Sequence, residues 1–122
     1  MKNARRVRDP RSFLPLTPRV FQVMLALAPK PLHGYAIIQE VSRLTEGVIT
    51  LRTGTLYLLL RRLRDQSLIE ESDDRPHADE DDDRRVYYVL TDLGRAVVEA
   101  EVQRLRTVVA VVRRQGLFWG KS

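Results

Sequence analysis

The sequence contains no cysteine, which excludes disulfides and thiolate metal sites. Its two histidines, His33 and His77, stand far apart, and no glycine-rich phosphate loop of the nucleotide-binding types occurs. No apolar run approaches the roughly 18 residues of a membrane-spanning helix. The basic opening stretch, residues 1–11, has no apolar core behind it and is not read as a signal peptide. Carboxylates cluster in a single segment of loop-like composition, which is poor ground for a preorganised catalytic site. The expectation is a cytoplasmic, non-enzymatic protein with no cofactor, no metal and no membrane partner.

Positive charge is what the chain has in abundance. The formal net charge is +5 over 122 residues, but that average hides a split. Residues 70–83 hold nine acids and one base, so the remainder carries 20 bases against 7 acids. A strongly basic body suits a polyanionic partner; solubility alone is the plain alternative. The length leaves room for one domain with a small core, which oligomerisation would help to stabilise.

Periodicity organises the chain. Residues 1–15 lack it and carry Lys2, Arg5, Arg6, Arg8 and Arg11 against Asp9, which reads as a flexible basic arm. Thr17 followed by Pro18 reads as the start of a first helix, with Val20, Phe21, Met24, Leu25 and Ala28 at helical spacing up to the prolines at 29 and 31. A second helix is expected over residues 34–46, with Gly47 as its stop, and residues 48–51 as one short β-branched strand. Thr53 is expected to cap a third helix. Leu56, Leu59, Leu60 and Leu63 fall on one of its faces, and Leu58, Arg61, Arg62 and Asp65 on the other.

Residues 68–72 and 84–90 read as two strands joined by a long acidic loop, residues 73–83. The loop does not fit an EF-hand: counted from Asp79, the sixth and twelfth positions are Arg84 and Leu90. A disordered, solvated loop is the expectation, with His77 unremarkable within it. Thr91 is expected to cap a last helix over 92–116. Along it Val98, Val102, Leu105, Val109 and Val112 step by four, three, four and three, a heptad-like seam widened by Leu93, Val97, Val108 and Val111. So small a domain has little core left for such a stripe, so a second copy of the chain is the expected partner. Residues 117–122 form a tail in which Phe118 and Trp119 are expected simply to pack.

Three helices, a hairpin and a long helix, in that order, describe a winged helix-turn-helix (residues 16–91) with a C-terminal dimerisation helix. The fold class is mainly α with a small β-hairpin. In such a fold the third helix enters the major groove of DNA, and a dimer sets two of them about one DNA turn apart.

The chain also resembles a known family, the PadR-type transcriptional regulators. "LHGYAIIQEV" looks like the family's second-helix start, with its His-Gly-Tyr triplet at His33, Gly34 and Tyr35. "GTLYLLLRRLRDQSLIEE" looks like its recognition helix running into the wing. "RRVYYVLTDLGRAVVEAE" looks like its second wing strand, Thr-x-x-Gly turn and dimerising helix. The resemblance spans roughly residues 16–116 and is closest to members with a single C-terminal helix. Two departures stand out: Leu58 where the family usually has proline, and Ser67 where it usually has glycine before the wing. Leu58 either touches a thymine methyl or is packed away by a neighbour.

The resemblance and the helix chemistry together nominate a DNA-contacting set. Thr53, Gly54 and Thr55 sit at the positive end of a helix dipole and can hold a phosphate, or merely cap. Tyr57 reaches a phosphate from the helix flank, or lies half-buried against the second helix. Arg61 and Arg62 are the candidates for base or backbone contact, since arginine binds guanine O6 and N7 bidentately; a solvated face is the alternative. His33, Gly34 and Tyr35 open the helix that crosses the backbone, or Tyr35 packs in the core. Arg84 and Arg85 resemble the family's wing arginines, or are neutralised by Asp81, Asp82 and Asp83. Leu93, Val97, Val98, Val102, Leu105, Val109 and Val112 are the expected dimer interface.

Some family members hold planar ligands on aromatic residues of the last helix. Here that helix carries valines and no aromatic residue before Phe118, so an unidentified small-molecule effector has no legible site. The expectation is a homodimeric, sequence-specific DNA-binding repressor acting on an inverted repeat of double-stranded DNA. The alternatives are a winged-helix protein-interaction adaptor, favoured by the acidic loop, and an RNA-binding module, which lacks an aromatic stacking platform.

Overall fold

The computed structural model describes residues 8–74 and 85–117. Of the acidic loop only Asp73 and Asp74 fall inside that range. His77, Arg84, Phe118 and Trp119 lie outside the described residues.

Helix α1, Pro18–Leu27, begins where its cap demands: Thr17 Oγ1 accepts from the Val20 N–H at 3.3 Å, and proline takes the first helical position. Helix α2, Gly34–Leu44, is shorter than expected. Helix α3, Thr53–Asp65, starts one residue earlier than expected: Arg52 occupies the N-cap position without a side-chain bond, and Thr53 lies in the first turn. Helix α4, Asp92–Arg114, is capped by Thr91, whose Oγ1 accepts from the Gly94 N–H at 2.9 Å.

Three strands complete the fold: β1, Leu32–His33; β2, Ile69–Ser72; and β3, Tyr87–Leu90. They form one antiparallel sheet in the order β1-β3-β2, with Leu32 opposite Tyr88 and Ile69 opposite Leu90. The expected hairpin is therefore one side of a three-stranded sheet. The strand expected at residues 48–51 does not form. That stretch is the connection between α2 and α3, with Thr45 Oγ1 bonded to the Val41 carbonyl and the Ile49 N–H, and Val48 85% exposed. Its β-branched residues meet no neighbouring strand, and β propensity without a partner decides little.

One core joins all layers. Val23, Met24 and Leu27 of α1 meet Ile37 and Val41 of α2, Leu56, Leu60 and Leu63 of α3, Ile69 and Leu90 of the sheet, and Val97 of α4. Helices α2, α3 and α4 end alike, the N–H groups of the two residues after the C-cap bonding back into the last turn. After α3, Ser67 N–H reaches the Arg64 carbonyl and Leu68 N–H the Leu63 carbonyl, both at 2.9 Å. This puts Ser67 at φ 64, in the left-handed region that Gly116 occupies after α4. Serine is strained there and glycine is not. Ser67→Gly is therefore expected to raise stability by about 0.5–1 kcal/mol, the relieved strain outweighing glycine's added chain entropy. A thermal melt at or below the parent's would contradict it.

The basic arm is a correction. From Arg8 onward it is structured: a short 3-10 helix, Pro10–Phe13, packs on α4, and Phe13, Leu14 and Leu16 lie against the core. The Arg8 guanidinium sits 5.2 Å from the Phe13 ring centre and donates to the Gln66 carbonyl. The fastening point is Glu101, only 2% exposed. Its carboxylate accepts from the Leu16 N–H at 3.3 Å and from Arg104 at 2.6 and 3.0 Å. The hydrogen bond from Arg104, aided by that from Leu16, holds the Glu101 carboxyl below the usual carboxylate range against the effect of burial.

A lowered folded pKa gives stability that is present above the ordinary glutamate pKa. It is lost as the pH falls through the lower folded value. Glu101→Gln is expected to cost about 1–3 kcal/mol at neutral pH and to flatten the acid limb of a stability-versus-pH curve. An acid limb identical to the parent's would rule this out.

Candidate nucleic-acid interface

Helix α3 buries Leu56, Leu60 and Leu63 and so must turn its other side outward. That side carries Thr55, Leu58, Arg61 and Arg62, all exposed. Among the described residues no ion pair or hydrogen bond engages the side chains of Arg61 or Arg62, whereas Arg64 pairs with Glu71 at 3.2 Å. No side chain caps the start of α3. The N–H groups of Thr53, Gly54 and Thr55 therefore remain outside the helix's own bonding and point from its positive end. A Cβ at Gly54 would meet nothing within 4 Å, so this end is open to an incoming group.

On one flank of α3 lies a recess of about 400 Å³ that gathers His33, Gly34, Tyr35, Tyr57 and Arg85, with Tyr88 behind them. Five of the expected contact residues thus converge, though their roles differ. Tyr35 is 61% exposed and Tyr57 47%, so both hydroxyl-bearing rings face solvent in part. Gly34 is buried, and a Cβ there would lie 2.3 Å from the Tyr57 hydroxyl oxygen. The close approach of Tyr57 is one reason for glycine at this position. Tyr57 leans on the start of α2, as one of its two sequence readings has it.

His33 caps the start of α2. It is buried at 9% exposure, its Nδ1 faces the Ala36 N–H at 3.3 Å as the cap of α2, and its ring meets Tyr87 edge-on at 5.2 Å. Its Nε2 lies 3.1 Å from Arg85 Nη1. With Nδ1 accepting from Ala36, a neutral ring carries its proton on Nε2, so the histidine caps the α2 start and stands beside Arg85 without accepting from it. Burial pushes the Tyr88 phenol up from its ordinary value.

On the other flank of α3 a groove of about 550 Å³ runs between the start of α1 and α3, with Arg19, Thr55, Leu58 and Arg62 along it. Arg19 and the exposed Arg52 add to the cationic surface around α3. Sequence reasoning missed both. Arg19 follows the α1 cap by two residues, and its nearness to α3 is set by helix packing that no local pattern reveals.

The α4 seam divides. Val97 is fully buried in the core of its own chain, and Leu93 and Val98 pack against that core. Val97 offers no surface to a partner, which corrects its place in the expected interface. Beyond it Leu105, Val108, Val109 and Val111 are 37–44% exposed, and an open apolar groove of about 450 Å³ runs along Val102, Leu105, Val109 and Ala110. Among the described residues no helix is long and apolar enough to cross a membrane.

The profile of the transcriptional regulator PadR-like family matches residues 23–100. A crystal structure of a PadR family transcription regulator from Clostridium difficile is 28% identical, covers 78% of this chain and 94% of its own, and superposes with a TM-score of 0.63. A Lysinibacillus sphaericus protein described as uncharacterized is 29% identical over 91 residues, 74% of this chain and 80% of its own. Bacillus subtilis PadR, solved in complex with operator DNA, is 18% identical, covers 72% of this chain and 48% of its own, and gives a TM-score of 0.59. At that identity the likeness is one of fold.

Proposed function

Because this chain belongs to the PadR-like family of transcriptional regulators, a family of regulators and not of enzymes, we propose that it binds duplex DNA sequence-specifically as a homodimer and represses from an inverted-repeat operator. The observation that carries the reading is the outward face of α3. It is helical and exposed, and it bears Arg61 and Arg62, whose side chains have no partner among the described residues. Phosphates meet the open N–H groups at Thr53, Gly54 and Thr55 and the hydroxyls of Tyr35 and Tyr57, while Arg85 anchors the wing side. Arg61 and Arg62 reach base edges. The distal half of α4, led by Leu105, Val109 and Val112, joins the two copies. Bacillus subtilis PadR, of similar fold, was solved in complex with operator DNA, which supports DNA as the partner by analogy of fold. On this reading the protein works in the cytoplasm, where its DNA is.

Fluorescence-anisotropy titration tests the reading, using the protein's own upstream promoter and a scrambled duplex at two salt concentrations. Tight promoter-selective binding, at two chains per site, is the expected result. Weak binding that is equal for both duplexes and lost with modest salt reflects only a basic surface. It would transfer the case to the adaptor reading.

A further inference from the structure

Leu58 sits at the centre of the outward face of α3, four residues before Arg62 and three after Thr55, and is 67% exposed. The chain has not packed it away. A leucine in the middle of a face whose other side chains are Thr55, Arg61, Arg62 and Asp65 has no phosphate to bond and no hydrogen-bond code to read. If this face enters the major groove, as the proposed function requires, the leucine must lie against base edges. Those edges are almost wholly donors and acceptors, and covering them with an alkyl group strips their water without replacing it. The apolar exception is the methyl group at C5 of a pyrimidine, which thymine carries.

We propose that Leu58 is a specificity-determining residue that selects a pyrimidine 5-methyl group, thymine in ordinary DNA, at one position of each operator half-site. Arg61 and Arg62 flank it on the next turn, so the methyl lies beside the bases or phosphates those arginines hold. The leucine favours the methyl by contact and disfavours other bases at that position by desolvation. This deepens the DNA-binding reading and rests on it.

The test starts from the operator selected by the full-length protein from a random duplex library. Each thymine is then replaced by deoxyuridine, which removes only the methyl. The expected result is one position per half-site at which Kd rises about fourfold, the worth of one buried methyl. Leu58→Ala, exposed and so without consequence for folding, is expected to bind that operator more weakly and to lose the deoxyuridine effect there. At the same position, 5-methylcytosine is expected to bind better than cytosine, which separates the methyl from the rest of thymine.

Deoxyuridine without effect at every position, or an effect undiminished in Leu58→Ala, overturns the inference while leaving sequence-specific binding intact. Failure to select any sequence overturns the DNA-binding reading and this one with it.

Discussion

Replacing Arg61 and Arg62 together with alanine is expected to abolish selective operator binding while leaving the fold and the proposed dimer as they are. Each arginine that contacts a base is worth about 1–3 kcal/mol of discrimination, so the pair is worth about 2–6 kcal/mol if both do so. Kd for the operator then rises by between tens of times and about ten thousand times, while binding to a scrambled duplex falls far less. The structure makes this a clean experiment. Both side chains are exposed and neither has a partner among the described residues, so alanine removes charge and reach without leaving a buried partner unsatisfied there.

Arg64 is the natural control. It lies on the same helix but pairs with Glu71 across to β2, and its replacement should leave selectivity in place. Anisotropy on both duplexes, with sedimentation to count chains, reads the result. Operator affinity unchanged in the double variant would remove α3 from the role of reading helix. The slope of affinity against salt adds a second readout. An arginine on a phosphate lowers that slope by about one when removed, whereas an arginine on a base changes selectivity more than slope.

What the sequence made legible was local. Thr17, Thr91 and Gly116 mark helix ends because capping is decided by a few consecutive residues, and the structure has all three in those roles. The outward turn of Arg61 and Arg62 follows from the 3.6-residue period once Leu56, Leu60 and Leu63 are taken as buried. What stayed hidden was non-local. Strand β1 is two residues long, and nothing in Leu32 or His33 marks a strand until Tyr87 and Tyr88 pair with them from more than fifty residues away. His33 reads as a contact residue by its place in a motif, and the motif does not show its burial edge-on against Tyr87. Glu101 looked like any acid on a helix surface. Its burial depends on the N-terminal segment folding back so that the Leu16 N–H can reach it. Val97 read as part of a seam because its spacing is right, but spacing does not tell which of two apolar surfaces a valine faces.

Gly94→Ala is expected to be the most destabilising single methyl in the protein. At most helical glycines alanine helps, by up to about 1 kcal/mol of helix propensity. Gly54 should behave so, since a Cβ there meets nothing within 4 Å. At Gly94 the same Cβ would lie 2.0 Å from the Leu68 carbonyl oxygen and 3.0 Å from its carbon. Those are backbone atoms, and no rotamer change removes them. Either α4 or the residues entering β2 must move.

Movement there breaks a tight junction. Thr91 N–H donates to the same Leu68 carbonyl at 3.1 Å, and Thr91 Oγ1 donates to the Ser67 carbonyl at 2.6 Å while accepting from Gly94. Overpacking costs about 1–3 kcal/mol and two weakened hydrogen bonds about 1 kcal/mol each. Set against the propensity gain, the net loss is about 2–4 kcal/mol. Denaturant midpoints of Gly94→Ala and Gly54→Ala should therefore move in opposite directions. If Gly94→Ala matches or exceeds the parent, the close approach of α4 to Leu68 is wrong.

The consequence extends to binding. Ser67 and Leu68 follow directly on α3, so this junction couples the helix proposed to read DNA to the helix proposed to join two copies. A half-site spacing of one DNA turn is a fixed distance between two α3 helices. A junction held by backbone contact transmits that distance, and a loosened one does not. Folded Gly94→Ala should accordingly lose affinity for the two-half-site operator more than for a single half-site.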